Sequence, residues 1–117
     1  MPHVVLEGPV TVDDAVRVLG PFLEREGSLI VKAERVYREK DARAALVEIV
    51  VVEGNHTQRF FVQIGQRASG LTVRLEPLTD PEKTAGVRRA LAHVAHRIRS
   101  ATGAAYGPTN IEGELIR

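Results

Sequence analysis

Between Ser28 and Pro77 the chain falls into four short strand-like runs parted by turns, and outside the second of them apolar and polar positions tend to alternate. A period of two is the mark of a strand with one face buried. Leu29, Val31 and Ala33 share one face of a first run that extends to Arg38, and Glu39-Lys40-Asp41 forms the turn after it. Ala44 to Glu53 is apolar on both faces, with Val47, Ile49 and Val51 against Leu46, Val50 and Val52. A strand of that kind belongs in the middle of a sheet or at a contact between subunits. Gly54-Asn55-His56 suits a hairpin because Gly and Asn tolerate positive φ. Phe60, Val62 and Ile64 mark the inward face of the third run, and Phe61 points the other way. After Ala68-Ser69-Gly70, Leu71, Val73 and Leu75 alternate with Thr72, Arg74 and Glu76 in the fourth.

The period changes on either side of this block. Val4-Val5-Leu6 predicts a short opening strand, ended by Gly8-Pro9. Val12, Ala15, Val16, Leu19, Phe22 and Leu23 recur at helical spacing. Thr11 is the expected N-cap, accepting from the amide of Asp14, and Asp13 and Asp14 suit the positive end of the helix dipole. Gly20-Pro21 predicts a kink or restart, since Pro21 cannot donate to residue 17, and Gly27 closes the helix. A second helix is predicted over 82–101, with Asp80 as cap and Pro81 at its first position. Val87, Leu91, Val94 and Ile98 form its apolar stripe, and Gly103 ends it. Ile111, Gly113 and Leu115 alternate with Glu112 and Glu114, predicting a last strand after a connector over 104–108.

The element order is therefore β-α-β-β-β-β-α-β, a single α+β domain over residues 1–117. The simplest packing is a two-layer sandwich: a four-stranded antiparallel meander with both helices on one face, and the terminal strands at its edges. The order resembles small α+β architectures of the helix-grip and hot-dog types in sequence of elements alone, and no motif carries a family function across.

Composition changes this picture little. The 117 residues are 44% hydrophobic and 26% charged, enough to form one core. There is no cysteine, which removes disulfides, thiolate chemistry and Cys-based zinc sites. The start Met1-Pro2-His3-Val4-Val5-Leu6-Glu7 lacks the pattern of a signal peptide, and Glu48 interrupts the most apolar stretch, so a cytoplasmic protein with no membrane segment is expected. Arginine outnumbers lysine and Asn, Gln and Met are scarce, a thermophile-like composition. The net charge is +1, but residues 1–27 are acidic (Glu7, Asp13, Asp14, Glu24 and Glu26 against Arg17 and Arg25). Residues 82–117 are basic, with Lys83, Arg88, Arg89, Arg97, Arg99 and Arg117 against three glutamates. Such a dipole steers association or pairs the two ends of the chain.

Candidate chemistry concentrates on the polar face of the second helix: Arg89, His93, His96, Arg97 and Ser100. His93 and His96 are one turn apart, but no third ligand stands at metal spacing, so neither metal nor cofactor is assigned. The same face has the residue types for phosphate contacts, which makes nucleic acid, RNA in particular, an alternative partner. Tyr37, Phe60 and Phe61 are candidate stacking residues on the sheet. The acid pairs Asp13/Asp14 and Glu112/Glu114 have no pocket to act in, and no phosphate loop or nucleophile motif is present, so no catalytic residue is named. A small enzyme with dispersed catalytic residues is the remaining alternative. The expectation is a non-enzymatic module that forms a homodimer through Leu46, Val50, Val52 and Phe61, and that binds a protein partner or small ligand.

Overall fold

A computed structural model describes all 117 residues. It is an α+β fold of two helices and one seven-stranded antiparallel sheet. The strands are β1 (His3–Glu7), β2 (Phe22–Glu26), β3 (Leu29–Arg38), β4 (Ala44–Glu53), β5 (His56–Gln66), β6 (Leu71–Leu75) and β7 (Ala105–Thr109). The helices are α1 (Val12–Val18) and α2 (Ala85–Thr102). The sheet order is β2-β3-β4-β5-β6-β1-β7.

The four runs between residues 29 and 75 pair consecutively, as their turns predict. Gly54 and Asn55 alone separate the paired residues Glu53 and His56, and Gly54 takes φ +62°. In β3, Glu34 and Arg35 lie between the pairs Ala33–Ile49 and Val36–Val47, where β4 supplies only Glu48. Two residues against one make a β-bulge, which bends the strand and helps the sheet curl.

Four expectations fail. The first helix does not continue past Gly20-Pro21: Pro21 biases the residue before it away from helical ψ, and the chain restarts as β2. Gly27 is therefore no helix terminator. With Ser28 it forms the two-residue turn between the paired Glu26 and Leu29, at φ +61°. β1 is not an edge: it lies between β6 and β7 and pairs with both. The tail after Thr109 is not a strand: the last strand falls earlier than predicted, at Ala105–Thr109, and Glu112–Glu114 form a 3-10 turn.

The second helix starts later than predicted. Residues 80–84 are not helical, and the N-cap is Thr84, whose hydroxyl accepts from the Val87 amide at 3.2 Å. No acid stands in the first turn of α2, and Glu53 at the end of β4 supplies one from a distance. Its carboxylate accepts from the Thr84 hydroxyl at 2.6 Å and from the Gly86 amide at 3.1 Å. A side chain at position 86 would collide with it, since a Cβ there would lie 2.4 Å from Glu53 Cδ. α1 is capped locally, as predicted: the Thr11 hydroxyl accepts from the Asp14 amide at 3.1 Å, and the Asp14 carboxylate from the Thr11 amide at 3.0 Å.

The core lies between the inner face of the sheet and the apolar stripe of α2. Val87, Leu91, Val94 and Ile98 are wholly buried, and so are Val47, Ile49 and Val51 on β4, Val62 and Ile64 on β5, and Leu71 and Val73 on β6. The Gly70 turn approaches β1 so closely that a Cβ there would sit 2.0 Å from the Leu6 carbonyl oxygen. No helix is long and apolar enough to cross a membrane.

Candidate functional site

On a strand, residues two apart share a face, so Phe22, Glu24 and Glu26 of β2 all point inward. On a helix, residues four apart share a stripe, so Arg89, His93 and Arg97 of α2 form one row. The two rows meet. Arg89 holds Glu26 with Nε at 2.8 Å from Oε1 and Nη2 at 2.7 Å from Oε2, the forked geometry that guanidinium and carboxylate share. His93 places Nε2 3.0 Å from Glu26 Oε1, and only 7% of the residue is exposed. Arg97 donates to Glu24 at 2.9 Å and lies over the Phe22 ring, 4.1 Å from its centroid.

The electrostatics follow from these contacts. The Arg89 guanidinium, with help from His93, holds the Glu26 carboxyl down to about 2 against the opposing effect of burial. Glu26 in return raises the pKa of Arg89. Arg89 also donates to the Glu114 carbonyl at 2.7 Å, and Arg88 to the Glu114 carboxylate at 2.7 Å. Arg99 stacks over Tyr106, 4.6 Å from the ring centroid. Every arginine of α2 is thus occupied by a carboxylate or a ring. The acidic beginning and basic end of the chain pair with each other, one of the two uses open to such a dipole.

Beyond the Glu26 contacts the seam opens into a groove of ≈ 540 Å³. Glu24 and Val18 line one side, His93, His96, Arg97, Ser100 and Ala101 another, and Ile116 of the tail the third. Four of the five polar residues singled out on this helix therefore share one groove. Arg89 does not: it faces a second depression near the start of α2, with Glu26, Glu53 and Glu114. Within the groove His96 Nε2 is 3.4 Å from Ser100 Oγ, and His96 Nδ1 is shut off from solvent with no hydrogen-bond partner. A nitrogen left without an acceptor is better off as a bare lone pair, which favours the tautomer with the proton on Nε2, aimed at Ser100.

This dyad lacks the parts of a nucleophilic site. No carboxylate orients His96 through Nδ1. No three histidine or acidic side chains stand close enough to hold a metal ion. Glu112 and Glu114 do not share a strand face, because the tail coils into a 3-10 turn there, and they pair separately with Arg117 and Arg88. Asp13 instead meets Arg38 at 2.5 Å.

Leu46, Val50 and Val52 on β4 and Phe61 on β5 lie on the outer face of the sheet, away from α2. Val50 is only 8% exposed, flanked in register by Lys32 and Arg59. Phe61 stands edge-on to Tyr37, with centroids 6.2 Å apart, while Phe60 is in the core. Sequence reasoning missed Phe22, Glu24 and Glu26 because it read them as helix. The signal was present in their alternation and in the Gly-Pro and Gly-Ser pairs that bracket them.

No family model matches this chain, and no curated protein or solved structure matches it either.

Proposed function

We propose that the protein is a non-enzymatic binding module that takes a small anionic ligand, a phosphate or carboxylate, in the groove between β2, α2 and the tail. The observation that carries this reading is the convergence of Arg97 and Ser100 on one open groove beside His96, each of the two with a donor left over. Arg97 uses one nitrogen on Glu24 and keeps further N–H donors. Ser100 is exposed and can donate. The groove lies by the C-terminal half of α2, where the helix dipole favours cations, so side chains and not backbone amides would hold the anion.

A titration followed by NMR tests this, with inorganic phosphate and a set of small carboxylic acids as probes. The expected result is saturable movement of the His96, Arg97 and Ser100 resonances, weakened at least about tenfold by Ser100→Ala with His96→Ala. No movement at these three positions with any probe would refute it. A native mass spectrum of the purified protein asks the same question of whatever it retains.

The nucleic-acid alternative draws less support, because a run of phosphates needs several free cations along α2, and Arg88 and Arg89 are already engaged by Glu114 and Glu26. Phosphate binding there would have to break pairs that folding has made. A duplex or single strand that binds with a steep salt dependence, reduced by Arg97→Ala, would reverse that ranking.

A further inference from the structure

The two inward carboxylates of β2 are used to different extents. Both oxygens of Glu26 accept from Arg89, and Oε1 meets His93 as well. Glu24 accepts through Oε1 alone, from Arg97 Nη2 at 2.9 Å, and its Oε2 has no partner. Arg97 makes that single hydrogen bond, and the Phe22 ring supports one face of its guanidinium. A guanidinium carries five N–H donors, so most of them stay free. Both side chains line the groove and both are partly open to water. The pair therefore offers the groove a free carboxylate oxygen and free guanidinium donors side by side.

The charges on the groove walls balance. Glu24 is the only acid there and Arg97 the only permanent cation. Arg17 and Arg117, the chain neighbours of Val18 and Ile116, are paired with Asp14 and Glu112. A purely anionic ligand meets Glu24 as a repulsion, and a purely cationic one meets Arg97 in the same way. A ligand that carries both charges on adjacent groups avoids both costs. Its carboxylate takes the free donors of Arg97, its ammonium takes Glu24 Oε2, and the folded pair stays intact. Ser100, exposed and three residues beyond Arg97, adds a second donor for the carboxylate.

The rest of the lining is apolar: Val18, Ala101 and Ile116. Ile116 is held in place, since the Tyr106 hydroxyl donates to its carbonyl at 2.5 Å and Leu115 before it is buried. The volume of ≈ 540 Å³ falls within the range of about 300–1,000 Å³ usual for small-molecule sites. From this geometry we infer that the groove takes a free aliphatic α-amino acid as its zwitterion. One carbon bears both charged groups of such a ligand, which suits the short Glu24–Arg97 separation, and its side chain lies against Val18 and Ile116. The inference rests on the reading of the groove as an anion site, and within that reading it selects a carboxylate over phosphate.

A ligand series followed by NMR at the His96, Arg97 and Ser100 resonances tests it. The probes are L-leucine, glycine, 4-methylpentanoate (leucine without its ammonium), 3-methylbutylamine (leucine without its carboxylate) and inorganic phosphate. Leucine is expected to bind at least about tenfold more tightly than each of the others. Glu24→Gln is expected to erase the advantage of leucine over 4-methylpentanoate while 4-methylpentanoate binds at least as well as before. Should Glu24→Gln displace Arg97, the series on the wild type decides alone. If 4-methylpentanoate or phosphate equals leucine, the inference falls and the anion-site reading stands. If glycine equals leucine, the aliphatic assignment falls. Silence at these positions with every probe, or binding of the amine alone, overturns the inference and the reading beneath it.

Discussion

The two faces of α2 are both covered by the sheet, by opposite chemistry. One face sets Val87, Leu91, Val94 and Ile98 against the aliphatic floor of β4, β5 and β6 and leaves no polar group there. The other sets Arg89, His93 and Arg97 against Glu24 and Glu26 of β2, a strand that pairs on one side only. Hydrophobic burial is non-directional and supplies most of the stability. The ion-paired seam adds less, because taking charges out of water offsets much of their attraction. Its value is directional: two acids two apart fit a helix row in one register, and inward charges on an edge strand also discourage sheet-to-sheet association. The difference teaches where variation is tolerated. The apolar face holds the fold, while the polar face positions β2 and shapes the groove.

That contrast can be broken most strongly on the apolar side. Leu91→Ala is expected to lower stability by about 2–5 kcal/mol, read as a shift in the urea midpoint, because the fully enclosed site cannot collapse around the lost atoms. Glu26→Gln strikes the seam instead. It weakens the forked bond to Arg89 and the contact to His93, and is expected to cost about 1–3 kcal/mol by the same measurement. A cost for Glu26→Gln equal to that of Leu91→Ala would erase the distinction drawn between the faces.

Acid sharpens the contrast without a mutation. Glu26 sits at about 2 in the folded chain, against an ordinary value of 4.5. The unfolded chain therefore binds the proton first, and the stabilisation is complete above 4.5 and lost as pH falls toward 2. With about a third of this side chain open to water, the effect is on the order of 1–2 kcal/mol after solvent screening. Unfolding curves of wild type and Glu26→Gln should converge over that window, while Leu91→Ala keeps its deficit throughout. Parallel curves for wild type and Glu26→Gln would show that the seam does not titrate.

The ends of α2 give smaller effects. Glu53→Ala removes the remote cap from Thr84 and Gly86 and should cost about 1 kcal/mol, with faster amide exchange at Gly86 and Val87. Arg97→Lys keeps the charge but loses the planar stack on Phe22, and should cost about 0.5 kcal/mol. Its clearer readout is the Phe22 ring resonance, shifted by the guanidinium above it in the wild type.

Much of this molecule is legible in its local pattern. The meander follows from alternation at Leu29, Val47, Phe60 and Leu71 and from turns such as Gly54-Asn55, because the period of two and positive-φ residues act over a few positions. The capping box of Thr11 and Asp14 is equally local. Phe22–Glu26 defeated the same reading, since five residues fit two periods and Phe22 falls in step with the helix before it. The polar row on α2 was visible as a row, but its partners were not. Nothing near Arg89 in the chain points to Glu26, 63 residues away.

The sequence by itself determined the α+β class, the four central strands, the apolar stripe of α2 and the cap of α1, because each rests on interactions between residues close in the chain. Only the tertiary structure decided that β1 lies inside the sheet, that Glu53 caps α2, and that the basic helix face is closed by the acids of β2. Those are contacts between residues about 30 to 105 positions apart, set by how a curled sheet brings its ends around one helix. Periodicity shows which face of an element seeks burial, and it leaves open what that face will meet.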